Sequence, residues 1–480
     1  MQRFLCWDGK MLSENSCVSV VQHNPEKKNI ALSCDQPWEG VHNGYASLVK
    51  VGDTYRLYYR AWGQNGLVYK DEKAVNKSVI CLAESKDGIT FTKPNLNKFE
   101  FEGIKENNIV FFRDNGRNID TFTLFYDQNP ACPETEKFKA LVRDQGTDIL
   151  DFYISPDGID FTFAQRIDLP GTFDSYNAVF FDEEEKIYKL YFRGYHRADG
   201  SIVGGYVELN ETTDIRDVRL AVSEDFRAWK FIDFIKFEKD RNVQLYTNQI
   251  TPYYRKKSTL IGLPARYFDR VGEAENYKDM PIFEARQRVI EKSGRGGTAQ
   301  TESGIMTSKD GITFDLRPTA FLTSGIENSN GWWYGDCYTA YGMAETLCED
   351  GENREISIYA GENYHVKKVD FRRYTVRLDG FFSWYADGDG GFAVSSPFVL
   401  KGENMSVNFA TSALGKLKIT ILDKGGEKIE GYESGILFGN STDRAVSFEK
   451  PLSNLVGKEI SVKFELCDCN LYSFAFSYRY

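Results

Sequence analysis

The sequence predicts an all-β protein, a five-bladed β-propeller followed by a C-terminal β-sandwich. Three features point there: one short turn motif repeated four times, a set of five apolar strands, and strict apolar alternation in the tail. The motif reads Ser85-Lys-Asp-Gly-Ile-Thr-Phe91, Ser155-Pro-Asp-Gly-Ile-Asp-Phe161, Ser223-Glu-Asp-Phe-Arg-Ala-Trp229 and Ser308-Lys-Asp-Gly-Ile-Thr-Phe314. Asp-Gly between β-formers is a strong turn signal, because Gly accepts a positive φ and the aromatic that follows anchors the returning strand. Phe226 replaces Gly in the third copy, so a different turn is expected there. The copies recur at roughly 70 residues, stretching to about 85 before the last, the length of a four-stranded sheet with its loops.

Residues 1–42 read as a lead-in, and blades follow at about 43–100, 105–165, 172–238, 244–320 and 333–380. Each blade carries one apolar strand, aromatic-rich in the first and third: Tyr55–Arg60, Phe138–Arg143, Tyr188–Arg193, Thr259–Pro264 and Glu355–Ala360. Upstream of each lies a β-prone run with a polar entrance, at Asn43, Asp120, Asp174, Tyr246 to Asn248, and Tyr334 to Asp336. In a propeller the innermost strands converge on the axis, so these entrances face one pocket. Within blade four, residues 268–303 form an insertion in which Asp279 is expected to cap a helix carrying Ile282, Phe283, Val289 and Ile290 on one face. Gly294-Arg-Gly-Gly297 reads as a mobile loop, since it lacks the Gly-Lys-Ser/Thr ending of a phosphate loop. After Gly380 the repeats stop. Alternation in Met405–Phe409, Lys416–Ile421, Ile460–Leu466 and Leu471–Phe476 then predicts the sandwich, residues 381–480.

A length of 480 residues suits two domains. The net charge of −11 and the lack of a Lys/Arg cluster argue against nucleic acid and anionic membranes as partners. No apolar run reaches the ~20 residues of a membrane span and the N-terminus shows no signal-peptide core, so a cytoplasmic location is expected. Nine cysteines without a C-x-x-C spacing read as reduced, mostly buried thiols. Four histidines are too few for a His-rich metal site, and no cofactor is expected beyond a calcium ion that carboxylates on the axis could hold. Oligomerisation is left open.

Repeated S-x-D-G-x-x-F/W hairpins in five blades before a sandwich resemble the glycoside hydrolases of families 32, 43 and 68. The resemblance runs through architecture over nearly the whole chain. It implies three carboxylates, one from each of the first three blades, around a bound sugar. Matched by blade, these are Asp35 or Glu39, then Asp120, then Asp174. The chain lacks the W-M-N-D-P-N-G and R-D-P sequences, and its third-blade acid is Asp where Glu is the rule.

Cleaving a glycosidic bond needs one carboxylic acid to protonate the leaving oxygen and one carboxylate opposite it. Sugars stack their C–H faces on aromatic rings while amides bind their hydroxyls. Trp38, Asn43, Asn177, Tyr246, Asn248, Trp332, Tyr334 and Asp336 are therefore the expected substrate contacts, with Trp333 the more structural of the Trp pair. Arg266, Arg286, Arg288 and Arg295 are candidates for an acidic sugar's carboxylate. The reading is a glycosidase for a small oligosaccharide or glycoside. The alternatives are a carbohydrate-binding propeller without catalysis and a glycoside phosphorylase.

Overall fold

The computed structural model describes residues 1–63, 77–114, 116–210, 213–239, 243–268, 276–293, 297–327, 331–332 and 334–478. Gly294, Arg295 and Trp333 lie outside the described residues. The regular structure of the described chain is nearly all strand, with one α-helix, Phe283–Ser293.

Five sheets of four or five strands follow one another. The first joins Gly44–Val51, Thr54–Trp62, Ser78–Ser85 and Ile109–Phe111, and the second Ile119–Tyr126, Phe138–Asp144, Leu150–Ser155 and Thr162–Ile167. The third runs Ala178–Asp182, Ile187–His196, Ile215–Ser223 and Lys230–Phe234, with Ile202–Val203 at its side. The fourth is Thr251–Tyr253, Lys256–Gly262, Met306–Ser308 and Thr313–Leu316, with Lys236–Phe237 added parallel at its edge. The fifth is Ala344–Leu347, Arg354–Glu362 and Asp370–Arg377, completed by Glu26–Ser33 from the start of the chain. The lead-in expected at residues 1–42 is therefore corrected, since it contains an outer strand that pairs the chain's beginning with its fifth sheet.

Hydrogen bonds link each sheet's leading segment to the next. The Leu124 amide donates to Ser47 Oγ at 3.1 Å, the Asn177 amide to Thr123 Oγ1 at 3.2 Å, and Asn248 Nδ2 to the Tyr176 carbonyl at 3.0 Å. Gln249 Nε2 reaches the Thr339 carbonyl at 2.7 Å, and the Tyr341 amide returns to Ala46 in the first sheet at 2.7 Å. These contacts form a closed circuit through all five sheets. Apolar faces fill the spaces between neighbouring sheets, as where Tyr58, Ile80 and Val110 of the first pack with Phe122, Leu124 and Val142 of the second. Burial of such faces supplies most of the folding drive, roughly 25 cal/mol per Å².

The repeated motif ends the third strand of each of the first four sheets. In the first copy Asp87 accepts hydrogen bonds from Ser85 Oγ and from the amides of Ile89 and Thr90, while Gly88 takes φ +73°. The third copy makes the same turn, contrary to expectation. Phe226 adopts φ +64°, and Asp225 accepts from the Arg227 and Ala228 amides. A left-handed Phe costs about 1–2 kcal/mol. Its ring is fully buried against Phe125, Phe152 and Tyr188, and that packing offsets the strain.

In the third sheet Gly194 lies against Arg219, a buried guanidinium bonded to the carbonyls of Pro170, Tyr195 and Val203. A Cβ on Gly194 would stand 2.0 Å from Arg219 Nε. Gly194→Ala is thus expected to destabilise by at least about 1–3 kcal/mol in urea unfolding, the range for overpacking a rigid core. An unchanged midpoint would show that Arg219 can yield.

The insertion differs in detail from expectation. Asp279 closes a 3-10 turn, Tyr277–Asp279, and the helix begins only at Phe283 because Ile282 takes φ +54°. Its most buried residues are Ala285 and Arg286. Arg286 donates to the carbonyls of Pro281, Gly297 and Trp332, so it staples the insertion and binds no sugar carboxylate in this arrangement.

In the tail, four expected strands are two long ones, Asn404–Asp423 and Glu459–Ser477. A register shift between Thr411 and Lys416 marks where the first two expected strands run on into one. Hydrogen bonding joins ten strands here, including Gln2–Leu5, Leu12–Ser16 and Ser19–Gln22 from the N-terminus. The first 22 residues thus cross the boundary expected at 380. All nine cysteines are free thiols.

Candidate active site

The cavity that matters lies where the leading segments of the sheets meet. It measures about 560 Å³, within the usual range for small-molecule sites. Asp120, at the entrance of the second sheet, and Asp174, at that of the third, both line it. Their segments touch, for Thr121 Oγ1 donates to the Phe173 carbonyl at 3.3 Å.

Each carboxylate is held by an arginine from the end of its sheet's second strand. Arg143 Nη1 binds Asp120 Oδ2, and Arg193 Nη1 lies 3.2 Å from Asp174 Oδ1. Arg60, at the same place in the first sheet, has no such partner of its own. It reaches Asp120 instead, with Nη1 3.4 Å from Oδ1. Register explains why: Arg143 stands opposite Thr121 and Arg60 opposite Gly44, so the residue matching Asp120 is Asn43. These three arginines close the strands Tyr55–Arg60, Phe138–Arg143 and Tyr188–Arg193, and that recurrence was the sequence signal for them.

Burial, the largest influence, pushes the Asp120 carboxyl above its ordinary value against the pull of Arg143 and Arg60. Burial works to raise Asp174 too, but Arg193, Arg143 and the Tyr206 hydroxyl outweigh it and hold that carboxyl low. A third carboxyl, Asp148, stands on the loop between the second and third strands of the second sheet and is raised by burial. Its Oδ2 accepts the Tyr206 amide at 2.9 Å, while Tyr206 Oη donates to Asp174 Oδ2. Tyr206 therefore bridges two carboxylates from above. Neither Asp148 nor Tyr206 carries a repeat signal that sequence reading could have caught.

The walls are aromatic. Tyr45, Trp62, Tyr246, Tyr334 and Tyr364 line the cavity, with Tyr246 and Tyr334 joined through their hydroxyls at 2.5 Å. His365 is pushed down to about 3 by burial and by Arg60, so it is neutral at physiological pH.

Several expected site residues lie elsewhere. Glu39 is fully buried behind the wall, where it accepts from Tyr59 Oη at 2.5 Å, the Gln36 amide at 2.8 Å and Lys93 at 2.7 Å. Asp35 is exposed and pairs with Lys93 at 2.9 Å. Neither lines the cavity, because the chain turns inward only at His42. Trp38 is buried with its indole N–H on Asn108, and Asn43 turns its side chain to the Trp62 amide and the Gly40 carbonyl. Asn177 and Asn248 belong to the circuit between sheets, and both are buried. Arg266 pairs with Glu302 at 3.1 Å and caps the Pro318 carbonyl. Asp336 accepts the Trp332 amide at 2.6 Å and lines a separate cavity beside Cys337 and Glu362, and Trp332 lines neither. Of the expected residues the cavity collects Asp120, Asp174, Tyr246 and Tyr334. Among the described residues no group of three His, Cys, Asp or Glu is placed to hold a metal ion, which leaves the calcium expectation without a site there.

No family model and no curated protein sequence matches this chain. Similar solved structures include glycoside hydrolases. A family 43 arabinoxylan arabinofuranohydrolase from Bacillus subtilis, in complex with cellotetraose, is 10% identical, covers 90% of this chain and 79% of its own, and gives a TM-score of 0.31. Zg3597, a family 117 glycoside hydrolase from Zobellia galactanivorans, is 10% identical over 75% of this chain and 90% of its own, with a TM-score of 0.38. An N-acetylgalactosamine deacetylase from F. plautii, in complex with blood group B trisaccharide, is also 10% identical, covering 74% and 95%, with a TM-score of 0.44.

Proposed function

We propose that the protein is a glycoside hydrolase acting on a small oligosaccharide or glycoside in this cavity. We read the five sheets as blades of one propeller, with the ten-stranded sheet, whose buried core includes Trp384, Phe464 and Phe474, as the accessory sandwich. The circuit of hydrogen bonds through all five leading segments supports the propeller reading.

The observation that carries the function is that one aromatic-walled cavity holds two carboxyls displaced in opposite directions, Asp120 upward and Asp174 downward. Such a split assigns roles: the group that keeps its proton is the acid and the other is the base or nucleophile. Asp120 would protonate the leaving oxygen as the C1–O bond breaks. Asp174 would take a proton from the attacking water or attack C1 itself. The electrostatics therefore reverse the roles that blade position implied, in which the third blade supplies the acid. Tyr246, Tyr334 and Trp62 offer faces for the sugar ring.

Activity on nitrophenyl glycosides and on plant and host glycans, with and without phosphate, tests the reading. The pH profile should be a bell. Its acid limb is Asp174 ionising, below the ordinary Asp value, and its alkaline limb is Asp120 losing its proton, above it. Arg143 lowers both carboxyls, so Arg143→Gln is expected to move both limbs to higher pH. Limbs that stay in place would remove the assignment. Asn43, in the place of a third carboxylate, favours a second reading, a sugar-binding propeller without turnover. Binding without hydrolysis across the panel would select it.

A further inference from the structure

We infer that the saccharide taken by this cavity carries a carboxylate, as a uronic acid does, and that Arg60 receives it. The inference rests on the carbohydrate reading above and names the class of sugar.

The argument is one of unmatched charge. Arg143 and Arg193 each face the carboxylate at the entrance of their own sheet, whereas Asn43 leaves Arg60 without one. Arg60 is almost wholly buried, and a buried cation without its own anion is costly. Its Nη1 donates to the Asp120 backbone carbonyl at 2.5 Å but makes only a loose 3.4 Å approach to the Asp120 carboxylate, which Arg143 already engages, and its Nη2 makes a long 3.3 Å bond to Tyr364 Oη. Aromatic faces add to these bonds: the guanidinium lies 4.9 Å from the Tyr45 ring centre and 5.4 Å from that of Trp62. The third cavity carboxyl does not supply the missing anion, for the charges acting on Asp148 are those of Arg143 and Asp174. Arg143 adds a second vacancy, since Nε is taken by the Thr147 carbonyl and Nη1 by Asp120 while Nη2 has no hydrogen bond among the described residues. Two guanidinium groups on one wall, Arg60 with the Nη2 that among the described residues only the Tyr364 hydroxyl engages and Arg143 with its Nη2, suit a planar carboxylate, which accepts through both oxygens.

The test uses the full chain and paired probes that differ only in charge. Nitrophenyl glucuronides and galacturonides of both anomers are compared with their methyl esters, by calorimetric titration and by turnover. At least one acid is expected to bind roughly tenfold or more tighter than its ester, the loss expected when a charge-assisted hydrogen bond is removed. That preference should fall as salt rises and shrink toward unity in Arg60→Met, with Arg60→Lys keeping part of it. Melting temperatures of both variants verify folding. Should Arg60→Met not fold, the acid-to-ester ratio and its salt dependence in the wild-type protein decide alone. Esters binding as well as acids, no binding by either, or a preference that survives in folded Arg60→Met would overturn the inference. Inorganic phosphate displacing the uronide and being consumed would also overturn it, by assigning the charge to a phosphorolytic co-substrate. Uronides that bind with the expected preference but are not cleaved would uphold this inference while removing the hydrolase reading. Neutral glycosides cleaved without preference would do the reverse.

Discussion

Asp174→Asn is expected to lower kcat by about two to four orders of magnitude, the range for losing a positioned acid or base, with the fold intact. The amide is the informative replacement. Asp174 Oδ1 accepts from Arg193 and the Thr172 hydroxyl and Oδ2 from Tyr206 Oη; an Asn oxygen in the first place still accepts from Arg193 and Thr172, while its amide nitrogen can donate to the Tyr206 oxygen in the second. Ala would leave Arg193, 2% exposed, without its anion, and a loss of activity could then be a loss of structure. Asn removes the charge and one acceptor while keeping the size of the side chain. Asp120→Asn should cost a comparable factor and leave a different trace. The alkaline limb of the pH profile disappears with Asp120, whereas the acid limb belongs to Asp174. If Asp174→Asn keeps its melting temperature and loses less than tenfold in kcat, Asp174 is not the base.

How much of this was legible in the sequence depends on whether a residue repeats. Turn motifs and apolar strands recur, so the order of the sheets could be read from one chain. Asp120 and Asp174 could be placed because each opens a leading strand. The same logic reached the three arginines only after the structure, although they close strands that the repeat had already aligned. An Arg among Tyr and Phe in a strand reads as a solvated charge until its register is known. Asp35 and Glu39 misled because they occur early in a polar approach to the first sheet, and sequence distance does not tell which side of a wall a carboxylate faces. Lys93 and Tyr59, which hold Glu39 away from the cavity, come from distant positions. Phe226 shows the converse: a position that looked like an exception made the common turn because its ring had somewhere to pack.

The largest expected effect on stability lies at the residue where the repeats end. Asp379 is fully buried and takes φ +56°. Its carboxylate accepts from Arg3 at 2.6 Å, Arg255 at 2.9 Å, Tyr253 Oη at 2.6 Å and Ser473 Oγ at 2.7 Å, and its carbonyl accepts the Trp7 indole N–H at 2.7 Å. One side chain thus ties the N-terminal strand, the fourth sheet and the long C-terminal strand. Asp379→Ala strands two guanidinium groups that are 12% and 18% exposed, and breaking a buried pair from one side costs about 3–5 kcal/mol. Urea unfolding should show that loss, and a change below about 1 kcal/mol would mean the arginines find other partners. Acid gives an independent test. Burial pushes the Asp379 carboxyl up, but Arg3, Arg255 and the two hydroxyls outweigh it and hold it below the ordinary value. A carboxyl depressed in the folded state contributes its full stability above its unfolded value, roughly 3.9, and loses it as pH falls through the folded value. Asp379→Asn keeps acceptor oxygen without charge and has nothing to titrate. Wild type and Asp379→Asn should therefore differ at neutral pH and converge as the pH drops. A gap that stays constant down to the acid transition would show that the charge on Asp379 is not what holds the two regions together.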